Sequence, residues 1–471
     1  MMATFKMAAG AAMLCLFSLP VLAADAAGAD AQAIERGRYL ATAGDCIACH
    51  SVPGGKPMAG GLALATPLGA IVATNITPSK THGIGNYTLK QFSDAMRLGV
   101  RADGAHLYPA MPYTAYAKVT DDDTAALYAY FMHGVDAVDA APAKQTDLPF
   151  PFNIRLSMAG WNLLFLDTKP FVADASKSME WNRGAYLAQG LAHCTTCHTP
   201  RNALMAEQLS KELGGADLGT WYAPNITSDV NSGIGGWSQQ DLVDYMRTGR
   251  VANKAQAAGP MAEAIDHSLK HLSDADLNAV AVYLKSVPAI RDKADTKPVT
   301  QWGQPGDELN AIRGVPLPQN LNKMSGAQLY DAQCASCHQA KGEGSFDGSL
   351  PPLFHNTVTG RSNSNNLVMA ILDGVERQDG KASHVAGHAA GHVMPAFRQT
   401  LSDEQIVTLG NYVQKMYGNP DVKVTAEQVT TLRNGGPASN LIGLARAGII
   451  VGVLVLLALL LWWRGRRRKE A

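Results

Sequence analysis

The chain has 471 residues, 46% hydrophobic and 17% charged, more than one small core requires and suited to two to four domains plus appendages. Its 40 basic and 40 acidic residues cancel, and no basic patch or basic-aromatic stripe is present, which argues against a nucleic-acid partner. Leaving out Lys6, Arg446, five tail bases and Glu470, the stretch from Ala24 to Ala445 carries 33 Lys and Arg against 39 Asp and Glu, so the folded part is mildly acidic.

In chain order, Lys6, the apolar run Met7 to Leu19 and the small-residue pattern Val21-Leu22-Ala23 predict a signal peptide over residues 1–23. Cleavage would remove Cys15; a lipid-anchored Cys15 is disfavoured because Ala12-Met13-Leu14 lacks the usual small residues. The first domain is expected over 33–147. A short helix from Ile34 to Ala43 ends at Gly44 and delivers Cys46-Ile47-Ala48-Cys49-His50. A loop-rich passage follows, then a helix from Leu89 to Leu98 closed by Gly99, and a helix through His133 capped by Asp121 to Asp123.

The same order repeats over 176–290, where Arg183-Gly184-Ala185-Tyr186-Leu187 matches Arg36-Gly37-Arg38-Tyr39-Leu40 and Asn225-Ile226-Thr227 matches Asn75-Ile76-Thr77. Its pentapeptide is Cys194-Thr195-Thr196-Cys197-His198. A more divergent copy over 321–420 holds Cys334-Ala335-Ser336-Cys337-His338. Two thiols one turn apart can each add to a vinyl group of one haem while the adjacent imidazole turns under the iron, so each C-x-x-C-H is a covalent c-type haem site. The fold class expected is all-α, with three helical haem domains in tandem. The linker 148–175, with Phe150, Phe152, Trp161, Phe165 and Phe171, reads first as an aromatic strap over the domains and second as a surface for a partner or the membrane. The linker 291–320 reads as a long exposed connection carrying four prolines. Leu441 to Trp463 is long enough for one transmembrane helix if Arg446 snorkels, and the basic tail 464–471 places the C-terminus on the cytoplasmic side.

A low-spin electron-transfer haem needs a second axial ligand, and a Met thioether raises its potential relative to His. Met96 to Met111 and Met246 to Met261 are both 15 residues apart, so Met111 and Met261 are equivalent, and Val393-Met394-Pro395 echoes Ala110-Met111-Pro112. The ligand pairs expected are therefore His50 with Met111, His198 with Met261 and His338 with Met394, leaving Met96 and Met246 as core. His106 is a weaker rival to Met111 because Gln256 stands at its counterpart, and His193 cannot comfortably reach the far face of its own iron. His384, His388 and His392 fall at i, i+4, i+8, but Gly387 and Gly391 weaken a helix there, so a solvated loop is preferred to a metal site. Pro67 and Pro352 are expected to offer carbonyls to Nδ1 of His50 and His338.

These motifs, with Thr66-Pro67-Leu68-Gly69, Leu107-Tyr108-Pro109-Ala110-Met111-Pro112-Tyr113 and Leu127-Tyr128-Ala129-Tyr130-Phe131-Met132-His133-Gly134, resemble the triheme cytochrome c subunits of membrane-bound periplasmic dehydrogenases that oxidise alcohols, aldehydes, gluconate or fructose. The resemblance implies three class I cytochrome c domains with three covalently bound haem c groups. It also implies a catalytic dehydrogenase partner, with a further small subunit in some complexes, and delivery of electrons to ubiquinone. The chain would lie in the inner membrane with its haem domains in the periplasm. It would not itself oxidise substrate, since no dinucleotide fingerprint follows a strand. Rival readings are a subunit feeding a terminal oxidase and a haem peroxidase; the latter needs an open sixth position that three Met ligands would fill.

Overall fold

The computed structural model describes residues 19–346, 348–376 and 393–470. Cys15, most of the expected signal peptide and the histidines 384, 388 and 392 lie outside the described residues.

Each haem unit is built on two crossing helices. Leu19–Ala43 crosses Asp121–His133 in unit one, Met179–Tyr186 crosses Asp274–Ser286 in unit two, and Gly326–Gln333 crosses Asp403–Tyr417 in unit three. The crossings are tight enough to demand glycine. A Cβ on Gly37 would sit 2.0 Å from the Ala126 carbonyl oxygen, and one on Gly184 1.9 Å from that of Ala279. The second helix of each pair starts in the same way, with the hydroxyl of Thr120, Ser273 or Ser402 accepting from the N–H three residues on. Between the crossing helices, Leu89–Ser93 continues through a π turn to Leu98 and closes at left-handed Gly99, as Gln239–Thr248 closes at Gly249.

The all-α expectation needs correction: among the described residues four short antiparallel strand pairs form, 63–66 with 69–72, 216–217 with 222–223, 250–251 with 255–256, and 375–376 with 393–394. The longest forms because Ala63-Leu64-Ala65-Thr66 and Gly69-Ala70-Ile71-Val72 flank a tight turn, with Gly69 at φ 132° and the Thr66 hydroxyl donating to its carbonyl.

Units one and two share one hydrophobic core, running from Leu40, Leu127 and Phe131 through Leu187 and Leu191 to Leu277 and Leu284. Unit three has its own, around Leu329, Val368, Met369, Leu372, Ile406 and Tyr417. Units one and two also exchange side chains about a pseudo-twofold. Tyr39 donates to Asp276 Oδ2 at 2.6 Å beside Arg183, and Tyr186 donates to Asp123 Oδ2 at 2.6 Å beside Arg36. Unit three joins unit two differently: the Asn366 amide clamps the backbone N–H and C=O of Tyr222, each at 2.8 Å, and the Thr357 N–H donates to the Lys254 carbonyl.

One face of the aromatic linker straps unit one. Tyr113 donates to Asn162, Asn162 to the Leu98 carbonyl, and Trp161 stacks edge-on to Tyr113. Its other face is open, with Leu156 and Leu163 74% and 86% exposed on and beside helix Ser157–Phe165. The second linker is less exposed than its prolines suggest. Val299 and Asp295 are buried, and the Val299 N–H donates to the Asn231 carbonyl. The chain ends in helix Leu441–Glu470, whose stretch Leu441–Arg467 is long and apolar enough to cross a bilayer and is not buried against the remainder. Arg446 at its start donates to the Phe150 carbonyl.

Candidate haem sites

The pentapeptides form one-turn helices, Cys46–His50, Cys194–His198 and Ala335–His338. In units one and two the residue just before the first cysteine is left-handed, Asp45 at φ 51° and His193 at φ 36°. Gly184 lies ten positions before Cys194 where Gly37 lies nine before Cys46, and a π turn at Leu187–Leu191 takes up the extra residue. His193 stacks edge-on to Tyr116 of unit one, so it belongs to the seam between units.

Each histidine is oriented through Nδ1. His50 donates to the Thr74 carbonyl at 2.7 Å, His198 to that of Pro224 at 2.6 Å, and His338 to that of Pro351 at 3.2 Å. Neither Pro67 nor Pro352, the prolines expected to accept from these rings, does so. Pro67 sits in the turn of the 63–72 hairpin, and the His50 ring bonds to Thr74 instead. Pro352 is one residue out of phase, its carbonyl facing the Asn356 amide instead. In units one and two the acceptor is the residue ahead of Asn-Ile-Thr. Asn75 and Asn225 accept from both the N–H and the hydroxyl of Thr77 and Thr227, and their amides donate to the Val138 and Ile290 carbonyls. The repeated phrase is a bracket aiming one carbonyl at the ligand ring, a signal present in the sequence and assigned there to another residue.

Burial lowers the pKa of all three rings, that of His198 to about 4, so the neutral imidazole required of a metal ligand is favoured. With Nδ1 engaged, Nε2 is the nitrogen available to iron.

A cavity of about 310 Å³, mostly apolar, is lined by Cys194, Cys197, His198 and Met261 together with Cys334, His338 and Met394. Two of the three expected ligand pairs thus face one continuous space, whose wall Asp45 of unit one also reaches. Met261 stands in the first turn of helix Gly259–His267, after Pro260, and Met394 on the strand paired with Val375. Met111 lies in the turn leading to helix Tyr113–Tyr116 and packs on the same core as Cys46. Met96 and Met246 are buried on their helices, Met246 adding to the cavity wall. His106 forms a bridge with Val100 at the edge of unit one, the position that Gln256 holds in a hairpin of unit two. The pentapeptide helix of unit one packs on helix Gly259–His267 of unit two, and Cys49 lies within electrostatic reach of Cys197.

The cytochrome c family profile matches residues 34–134, 182–288 and 324–417, one match for each unit. The chain belongs to the cytochrome c family. It is 48% identical to the fructose dehydrogenase cytochrome subunit of Gluconobacter japonicus, over 94% of this chain and 93% of that protein. It is 41% identical to the gluconate 2-dehydrogenase cytochrome c subunit of Pantoea cypripedii, covering 87% and 92% of the two chains. A third relative is the cytochrome c subunit of a quinone alcohol dehydrogenase from Gluconobacter oxydans, 37% identical over 91% of this chain and 88% of that one. The three C-x-x-C-H sites of this cytochrome carry covalent haem c, and the apolar cavity walls, free Nε2 atoms and paired thiols suit that group.

Proposed function

We propose that this cytochrome is the electron-transfer subunit of a membrane-bound periplasmic dehydrogenase, carrying electrons from a catalytic subunit, with or without a further small subunit, to ubiquinone. The observation that carries the reading is the contiguity of the sites. Unit two meets unit one through its helix Gly259–His267 and opens into the same cavity as unit three, so it is the middle station of a three-step path. The relatives' names, each a cytochrome subunit of a dehydrogenase, support the choice of donor. Haem supplies one-electron chemistry at its iron when bound.

The chain's own residues hold the irons in place. His50, His198 and His338, each fixed in rotation by its Nδ1 bond, and Met111, Met261 and Met394 would be the side chains that hold the irons. The cavity's apolar wall keeps water from the iron. Three tandem class I domains lie on the periplasmic side, Leu441 to Trp463 crosses the lipid bilayer, and the five bases beyond it remain in the cytoplasm by the positive-inside rule.

Three measurements test this. The tagged full-length protein, purified in detergent from its own cells, is expected to bring down a catalytic dehydrogenase and to contain three haems per chain; an oxidase core in its place refutes the reading. Replacing Met111, Met261 or Met394 by His is expected to lower one midpoint potential of the three, and an unchanged titration removes that ligand. Ending the chain after Asn440 is expected to move the haem protein from the membrane to the periplasmic soluble fraction.

A further inference from the structure

Among the described residues, one buried cation forms no ion pair. Arg361 belongs to unit three, just beyond helix Thr357–Gly360, yet it reaches into unit two, where Nη1 donates to the Ser232 carbonyl at 2.9 Å. The residue is only 6% exposed. Its Nε is fully buried without a partner, and no carboxylate forms an ion pair with it among the described residues. Asp292 and Asp295 act on its charge through space without bonding to it. Asp292 accepts from the Ser362 hydroxyl, and Asp295 from the Ser362 N–H, with its own carbonyl taken by Asn231. A guanidinium withdrawn from water and left unpaired costs several kcal/mol, on the order of the penalty for any buried lone ion. Such a residue is retained where an anion completes it.

Arg361 lines the shared cavity together with His198. Haem carries two propionate carboxylates, and a fork of N–H donors at a cavity wall matches a carboxylate in geometry and charge. We propose that Arg361 is the propionate anchor of the haem held by unit two, supplied across the interface by unit three. The inference rests on the haem assignment of unit two and gives that haem a ligand-side contact from another domain. Two consequences follow. Haem loading in unit two locks unit three in register, because the carboxylate completes a side chain that already spans the interface. The positive charge also destabilises the ferric, more cationic state of that haem, which raises its potential relative to a neutral side chain.

The carboxylate could come from the haem of unit two or from that of unit three, since both sites open on the cavity, and the experiment separates them. The full-length protein with three haems is titrated potentiometrically as wild type, R361Q and R361K, and again with M261H or M394H present to mark one haem each. R361Q is expected to move one wave to lower potential, the wave marked by M261H, and R361K to restore most of the shift. Three unchanged waves in R361Q overturn the proposal, and a shift on the wave marked by M394H overturns its assignment to unit two. If M261H moves no wave, the axial-ligand reading has failed instead, and R361Q is judged against wild type alone. Should R361Q not accumulate, R361M, which also removes the charge, is titrated in its place, and three unmoved waves there refute the anchor.

Discussion

The two interfaces between haem units are made by different chemistry. Units one and two meet as near-copies, so each contact occurs twice: the tyrosine of one helix enters the Arg–Asp pair of the other unit, Tyr39 on Arg183–Asp276 and Tyr186 on Arg36–Asp123. Unit three cannot join this pattern. Ser325 stands beside its crossing glycine where units one and two have arginine. Gln405 stands at the third position of the last helix where they have aspartate, and it folds back to cap its own helix. Its contact with unit two is asymmetric and mostly to backbone, through Asn366, Thr357 and Arg361. A duplicated unit keeps a self-complementary face only while both halves of each pair survive; unit three has lost both and is held by other means.

The sharpest break of the paired interface is Asp276→Ala. It removes two bonds from Arg183 and one from Tyr39 and leaves a partly buried guanidinium unpaired, an expected loss of roughly 3 kcal/mol. Denaturant unfolding followed at the haem bands of the one–two core checks it, and Asp123→Ala should behave alike if the pseudo-twofold is energetic as well as geometric. Tyr186→Phe is expected to cost roughly 2 kcal/mol, since its bond to Asp123 is buried and charge-assisted. Tyr39→Phe, at a wetter contact, should cost less in the same assay.

Asn366→Ala should leave the one–two core untouched and loosen unit three alone, by about 1–2 kcal/mol for the two lost backbone bonds. Faster proteolytic cleavage within 291–320 at an unchanged one–two transition is the expected result, and destabilisation of both units would dissolve the distinction between the interfaces. The smallest effect is of pH. Burial would raise the pKa of Asp276, but hydrogen bonds from Arg183 and Tyr39 outweigh it and hold the carboxyl below its ordinary 3.8. The stability it contributes is therefore present above that value and lost as pH falls through the lower folded one. Unfolding midpoints measured below about pH 4 should fall more steeply in wild type than in Asp276→Asn.

Much of the site was legible before any coordinates. The pentapeptides, the helix flanking each one and the repeat that relates Met111 to Met261 are local patterns, and the cytochrome c profile matches one segment around each pentapeptide. Spacing does not resolve which carbonyl meets each ring, because successive carbonyls of an extended chain face opposite ways and a step of one residue, Pro352 for Pro351, turns the acceptor away. The hairpins escaped notice because two- and four-residue strands carry too little alternation to stand out. The linker 148–175 acts as a strap, Asn162 bonding to the Leu98 carbonyl of unit one and Trp161 to the Leu204 carbonyl of unit two, while Leu156 and Leu163 face outward.

By itself the sequence determined the haem chemistry, because thioether attachment and proximal ligation need two thiols and an imidazole at fixed spacing within five residues. It also determined the terminal apolar helix, which length and composition define. Only the tertiary structure decided that units one and two share a core, that sites two and three open on one cavity, and that Arg361 crosses from one unit to the next. Those contacts join residues far apart in the chain, 129 positions for Arg361 and Ser232. Such pairings are selected by packing, and no local spacing encodes them.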